Sequence, residues 1–225
     1  MERPGPPGIE SSILEVIEIN LRDSNGRLTN VQEQQIREAL GRGGVIVYPT
    51  DTLYGLGVDA CSDEAVEKLF ALKDRKNTPV SVLLSTVDQL FELSYGLDQK
   101  AQALIRTFLP GALTVICKSQ YSFAKNLFSV AGTIGFRVSG DLISHQIPEL
   151  FGKPITTTSV NPGGAIPARS RAEVQAYYTN QIDLMLDVGT MESSKGSTVI
   201  DLSTNPFNIL REGEISREML AKYLN

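Results

Sequence analysis

The chain has 225 residues, 41% of them hydrophobic, enough for one large globular domain or two small ones; a single domain is expected. Its formal net charge of -5 argues against a protein whose main task is holding duplex nucleic acid, because phosphate neutralisation dominates such binding. No run approaches the ~18 uninterrupted apolar residues of a membrane span, and Met1 to Gly8 lacks a signal-peptide pattern, so no membrane association and a cytoplasmic location are expected.

Residues 1–8, rich in proline and glycine, are expected to form a disordered tail, and residues 9–225 the domain. Thr29 to Gln32 fits a capping box that opens a helix ending near Gly41, Gly43 and Gly44. An apolar strand, Val45-Ile46-Val47, follows and runs into a loop spanning Pro49 to Ala60. Thr50, Asp51 and Thr52 present donors and acceptors at a sheet edge, where ligands commonly bind in α/β proteins; the alternative is an ordinary turn. Gly55 and Gly57 are expected to supply positive φ or a close approach of the backbone to a ligand.

Ser62 is placed to cap the next helix, with Val66, Leu69, Phe70 and Lys73 on one face. That helix delivers Lys73 and Arg75 at its C-terminal end, either as part of a solvated face or as an anion-binding pair. Further strands are expected at Val80 to Leu84, Leu113 to Cys117, Ile134 to Val138, Leu184 to Val188, Thr198 to Leu202 and Phe207 to Leu210. Helices are expected at Gln99 to Phe108, Leu142 to Leu150, Arg171 to Tyr178 and Ser216 to Leu224. The mixture indicates an α/β or α+β domain around a mixed sheet. Neither a G-x-x-x-x-G-K-[ST] nor a G-x-G-x-x-G sequence occurs, which disfavours the standard P-loop and dinucleotide folds. Cys61 and Cys117 lack metal-ligand spacing and read as small hydrophobes, and His145 reads as structural.

Four segments combine the residue types of a nucleotide-activating site. Besides the Thr50 to Thr52 loop, Lys73-Asp74-Arg75 offers two cations that can neutralise a triphosphate, the arginine as a bidentate fork and the lysine as a point charge. Thr156 to Pro167 reads as a strand loaded with hydroxyls entering an Asn-Pro-Gly-Gly loop, where Ser159 and Asn161 either project together into a site or bond to their own backbone. Arg211, before Gly213, is a candidate phosphate or base contact.

Pro49-Thr50-Asp51-Thr52-Leu53-Tyr54-Gly55-Leu56, Lys73-x-Arg75, Pro110-Gly111-Ala112-Leu113-Thr114, Ser159-x-Asn161, Ser197-Thr198-Val199-Ile200-Asp201 and Leu210-Arg211-x-Gly213 together resemble the YrdC-type threonylcarbamoyl-AMP synthases, in the family's order. The resemblance implies a single-domain, twisted mixed sheet with flanking helices and a concave positive cleft. It implies synthesis of threonylcarbamoyl-AMP and pyrophosphate from ATP, L-threonine and bicarbonate, for threonylcarbamoyladenosine modification of tRNA.

By position, the resemblance makes Lys73, Arg75, Ser159 and Asn161 the catalytic tetrad. Arg75, Thr78, Thr114, Ser159, Pro167 and Arg211 would surround ATP, and Thr52, Thr157 and Ser197 would meet threonine. Mg2+ would accompany ATP, held mainly by phosphates and water. Partners implied are a downstream threonylcarbamoyl transferase and tRNA or double-stranded RNA. A histidine that some members carry near the threonine pocket corresponds to about Leu83, and the family's Arg-x-Pro element appears as Arg137-Val138-Ser139, without the proline. The length resembles the short form, without the additional C-terminal domain of longer relatives. Competing expectations are an RNA-binding module and a paralogue with another substrate.

Overall fold

The computed structural model describes residues 15–18, 26–74 and 80–224; the expected tail at residues 1–8 lies outside them. The strands are β1 (Glu15–Glu18), β2 (Ile46–Tyr48), β3 (Gly55–Gly57), β4 (Ser81–Leu83), β5 (Ser94–Tyr95), β6 (Leu113–Ser119), β7 (Thr133–Arg137), β8 (Ile155–Ser159), β9 (Leu184–Asp187), β10 (Thr198–Asp201) and β11 (Asn208–Arg211). They join in one 11-stranded sheet in the order β1-β9-β2-β3-β8-β4-β7-β6-β10-β11, with β5 paired to β6 off this path. β1 with β9, β9 with β2, β4 with β7 and β6 with β10 pair in parallel, and the other pairs are antiparallel, so the sheet is mixed as expected.

Helices α1 (Asn30–Gly41) and α2 (Asp63–Leu72) begin where their caps dictate. Thr29 and Gln32 form the reciprocal capping box, and the Ser62 hydroxyl accepts from the Ala65 N–H. After them come α3 (Val87–Leu93), α4 (Gln99–Phe108), α5 (Gln146–Phe151), α6 (Arg171–Tyr177) and α7 (Arg217–Leu220). The helix expected from Leu142 starts late because Asp141 Oδ1 accepts from the Ile143 and Ser144 N–H groups at 2.9 Å each, a turn that competes with the first helical bonds. The C-terminal helix divides into α7 and a 3-10 turn at Ala221–Tyr223. No described helix is long and apolar enough to cross a membrane.

Alternation along each strand then assigns residues to faces. On one face Val47, Leu56, Val82, Phe136, Val115, Met185 and Ile200 join Val66 and Leu69 of α2 and Leu104 and Ile105 of α4 in a large apolar cluster. On the other, Ile46, Tyr48, Ile155, Leu184 and Leu186 pack with Ile36 and Leu40 of α1 and Ile147 of α5. This second cluster stops at Leu83 and Ile155; toward β11 the same face belongs to hydroxyls and an arginine.

Two expectations near β2 are corrected. The Pro49 to Ala60 loop contains a strand, β3, and Gly55 and Gly57 within it lack positive φ. Their close approach is to a side chain of the protein itself: a Cβ would stand 2.9 Å from Tyr48 Cζ at Gly55 and 2.8 Å from Tyr48 Cε1 at Gly57. The ring of Tyr48, fully buried, lies over the two glycines and donates its hydroxyl to Thr156 O at 3.0 Å. Both cysteines are free thiols, and burial pushes that of Cys117 up to about 12. His145 Nδ1 lies 3.1 Å from Asp141 O, a local contact on a turn.

Candidate active site

Registry gathers the polar residues. Thr157 of β8 stands opposite Ser81, Leu83 opposite Arg137, Gly135 opposite Ile116, and Thr114 opposite Val199, which in turn faces Arg211. Directly opposed residues share a face, so Ser159, Thr157, Ser81, Arg137, Gly135, Thr114 and Arg211 line the half-face that the second apolar cluster leaves bare. Gly135 keeps that floor low, since a Cβ there would lie 2.7 Å from Ser81 Oγ. Leu83, at the position considered for a histidine, is fully buried in the apolar cluster beside this floor.

One wall is the loop after β2. Thr50 Oγ1 donates to Leu53 O at 2.6 Å and accepts from the Thr52 and Leu53 N–H groups at 3.2 Å each, folding the loop on itself. Arg137 then fixes it from β7: its Nη2 donates to Asp51 Oδ1 at 2.5 Å and to Thr52 Oγ1 at 2.9 Å. Ser139 Oγ donates to the same Asp51 oxygen at 2.8 Å. Arg137 is only 7% exposed, and its Nε is buried without a hydrogen-bond partner among the described residues. Farther along the loop, the Tyr54 hydroxyl donates to Gly189 O at 2.8 Å and accepts from the Val188 N–H at 3.0 Å, tying this wall to the end of β9.

A second wall is the loop after β8. Lys73, the C-terminal cap of α2, is fully buried rather than displayed at the surface. Its Nζ donates to Ser159 O and, at 2.9 Å, to Asn161 O, while Lys73 O accepts from the Gly163 N–H at 3.1 Å. Ser159 Oγ donates to Asn161 Oδ1 at 2.5 Å, and Asn161 Nδ2 donates to Pro162 O and Ala165 O at 2.9 Å each. The lysine thus carries the loop, and Asn161 shapes it by bonding its own backbone. Pro167 follows between two tethers, Tyr177 Oη to Ile166 O at 2.9 Å and Ala168 N to Val160 O at 2.8 Å. Arg75 and Thr78 lie outside the described residues.

The third wall joins β6, β10 and β11. Thr114 Oγ1 and Ser197 Oγ are 2.9 Å apart, both buried, and Arg211 Nη2 donates to Ser197 O at 2.9 Å and to Ser197 Oγ at 3.2 Å. A Cβ on Gly196 would be 3.7 Å from Leu53 Cδ1, so this wall meets the first.

The expected residues therefore fall into adjoining clusters: Thr52 in the first wall, Lys73, Ser159 and Asn161 in the second, Thr114, Ser197 and Arg211 in the third, with Thr157 on the floor. Sequence reasoning underrated the Asp51–Arg137–Ser139 group. The signal was there, because a cation inside the apolar run Ile134 to Val138 must be buried on one face of a strand, and a buried cation needs partners. Among the described residues no group of three or more His, Cys, Asp or Glu side chains converges to hold a metal.

Comparison with known proteins agrees with the fold. Residues 38–213 match the Sua5_yciO_yrdC family model, described as "Telomere recombination". The threonylcarbamoyl-AMP synthase of Pyrococcus abyssi is 29% identical over 210 residues, 92% of this chain and 60% of its own length. The crystal structure of P. abyssi Sua5 complexed with L-threonine is similar at a TM-score of 0.81 with 27% identity, over 95% of this chain and 61% of that one. This chain thus spans about three fifths of those archaeal proteins. E. coli YciO, at 27% identity and a TM-score of 0.79, is covered over 96% of its length and covers 90% of this chain.

Proposed function

The chain belongs to the Sua5_yciO_yrdC family, and on that premise we propose that it is an L-threonylcarbamoyladenylate synthase, a nucleotidyltransferase that acts in tRNA modification. It joins L-threonine, bicarbonate and ATP into threonylcarbamoyl-AMP and releases pyrophosphate. One observation carries the reading. On a sheet otherwise packed with apolar side chains, Thr52, Thr157, Thr114 and Ser197 are kept 5%, 7%, 3% and 5% exposed around a guanidinium, that of Arg137, 7% exposed. Buried polar groups cost stability unless satisfied, so such a concentration marks a binding site.

The threonine amine and bicarbonate condense to a carbamate with loss of water. A carbamate oxygen then forms a bond to the α-phosphorus as the bond to pyrophosphate breaks. Both reactants are anionic, and the site's work is positioning and charge stabilisation. Arg137, held by Asp51 and Thr52, supplies the positive charge for the threonine carboxylate, with Thr52, Thr157 and Ser197 completing that half. Thr114, Ser159, Pro167 and Arg211 are the proposed ATP contacts, to which the resemblance adds Arg75 and Thr78. Lys73 acts by placing the Ser159 and Asn161 carbonyls. Mg2+ bound on the ATP phosphates would supply further charge neutralisation for the departing pyrophosphate. The product is a reactive mixed anhydride, so a transferase acting on tRNA is the proposed consumer.

Pyrophosphate release, followed with ATP, bicarbonate and each of several amino acids, tests the reading. Release that depends on threonine is expected; release indifferent to the amino acid, or none, contradicts it.

A further inference from the structure

Val188 to Ser197, between β9 and β10, has no regular secondary structure, so its backbone must be held by bonds outside a strand ladder. The Val188 and Met191 N–H groups donate to Tyr54 Oη and Arg169 O, and the chain just past β11 holds the stretch immediately before Ser197. Glu214 Oε1 accepts from Ser194 Oγ and from the Lys195 N–H, each at 2.7 Å. Ser194 Oγ accepts in turn from the Gly196 N–H at 3.0 Å, and the Glu214 N–H donates to Gly196 O at 2.9 Å. Gly213 closes the seam: a Cβ there would lie 2.2 Å from Gly196 O, so no other residue fits. The three residues immediately before Ser197 are therefore fastened to Gly213 and Glu214. The Ser194 hydroxyl first, and the Lys195 N–H second, hold the exposed Glu214 carboxyl below its usual range.

Resting on the reaction proposed above, we propose that Glu214 is a positioning residue for the amino-acid half of the site, fixing Ser194 to Gly196 so that Ser197 already stands beside Thr114 before threonine arrives. Glu214 acts through that segment rather than by touching substrate. Preorganisation of this kind lowers the ordering cost of binding and is common to ground and transition states, so its loss weakens substrate binding more than turnover.

Both bonds fall on the same oxygen, which separates the acceptor from the charge. Glu214→Gln keeps an acceptor at that position and Glu214→Ala removes it. In Glu214→Ala the threonine KM is expected to rise about fivefold or more with kcat within about twofold of wild type, and Glu214→Gln is expected to retain the wild-type KM. Hydrogen exchange at the Lys195 and Gly196 amides should quicken about tenfold or more in the alanine variant alone. An unchanged KM in the alanine variant, an equal rise in both variants, or unchanged exchange would overturn the assignment. Wild-type protein without threonine-dependent turnover would instead overturn the reaction on which it rests.

Discussion

Lys73 and Asp141 show how burial turns a titratable side chain into a constraint. Lys73 follows the Val66–Leu69–Phe70 face of α2, but the sequence left it either on a solvated face or in an anion-binding pair; its burial and its partners come from residues 86 and 88 positions away. Lys73→Met is expected to fold, since methionine fills most of the volume of the buried lysine stem. It is also expected to lower turnover at least about tenfold, ~1.4 kcal/mol of transition-state stabilisation, because the Ser159–Asn161 loop loses its support. Near-wild-type turnover would remove the lysine from the site. At Asp141, burial raises the carboxyl above its usual range, and the Asp51 charge adds to this, against hydrogen bonds from Ser144 and Ile143 that lower it. A carboxyl whose pKa is higher folded than unfolded binds its proton more tightly in the native state. Its contribution is therefore most favourable below the ordinary carboxylate value and is lost as pH rises through the raised one. Asp141→Asn keeps the acceptor for both N–H groups, so its melting temperature should exceed wild type at pH 7 and lose that advantage near pH 3; a lower or equal value at pH 7 would contradict the argument.

At the scale of elements, the sequence was most legible where a local rule has one structural answer. Thr29 and Ser62 set the starts of α1 and α2, and the apolar runs became β4, β6, β7, β9, β10 and β11. β3 was hidden because Gly-Leu-Gly has no strand composition; it is a strand only because β2 and β8 pair with it on both sides and the Tyr48 ring needs its missing side chains. That makes a stability prediction. Gly57→Ala should cost about 1–3 kcal/mol in denaturant unfolding through overpacking against Tyr48. The same substitution in a Tyr48→Leu background should cost measurably less, and a strictly additive pair would show that the ring is not what excludes the side chain.

Over the whole molecule, function follows from an imbalance between the two faces of one sheet. One face is apolar along its length, whereas the other is apolar only as far as β8 and β4, and the remainder is a hydroxyl-lined floor edged by two loops and by the β6, β10 and β11 wall. The sequence contained every wall of that site as a short motif, and the family resemblance ordered them. It could not show that Arg137 binds Asp51 and Thr52, or that Glu214 holds Ser194, because both pairings join residues that only the strand order brings together. The central claim is that this bare half-face unites threonine, bicarbonate and ATP. The most direct measurement supplies 13C-bicarbonate with ATP and threonine and reads the product by mass. The account predicts a threonine-dependent adenylate whose mass is one unit higher than with unlabelled bicarbonate, the label sitting in the carbamoyl carbon, together with stoichiometric pyrophosphate. An adenylate without the label, or pyrophosphate released without threonine, would contradict it.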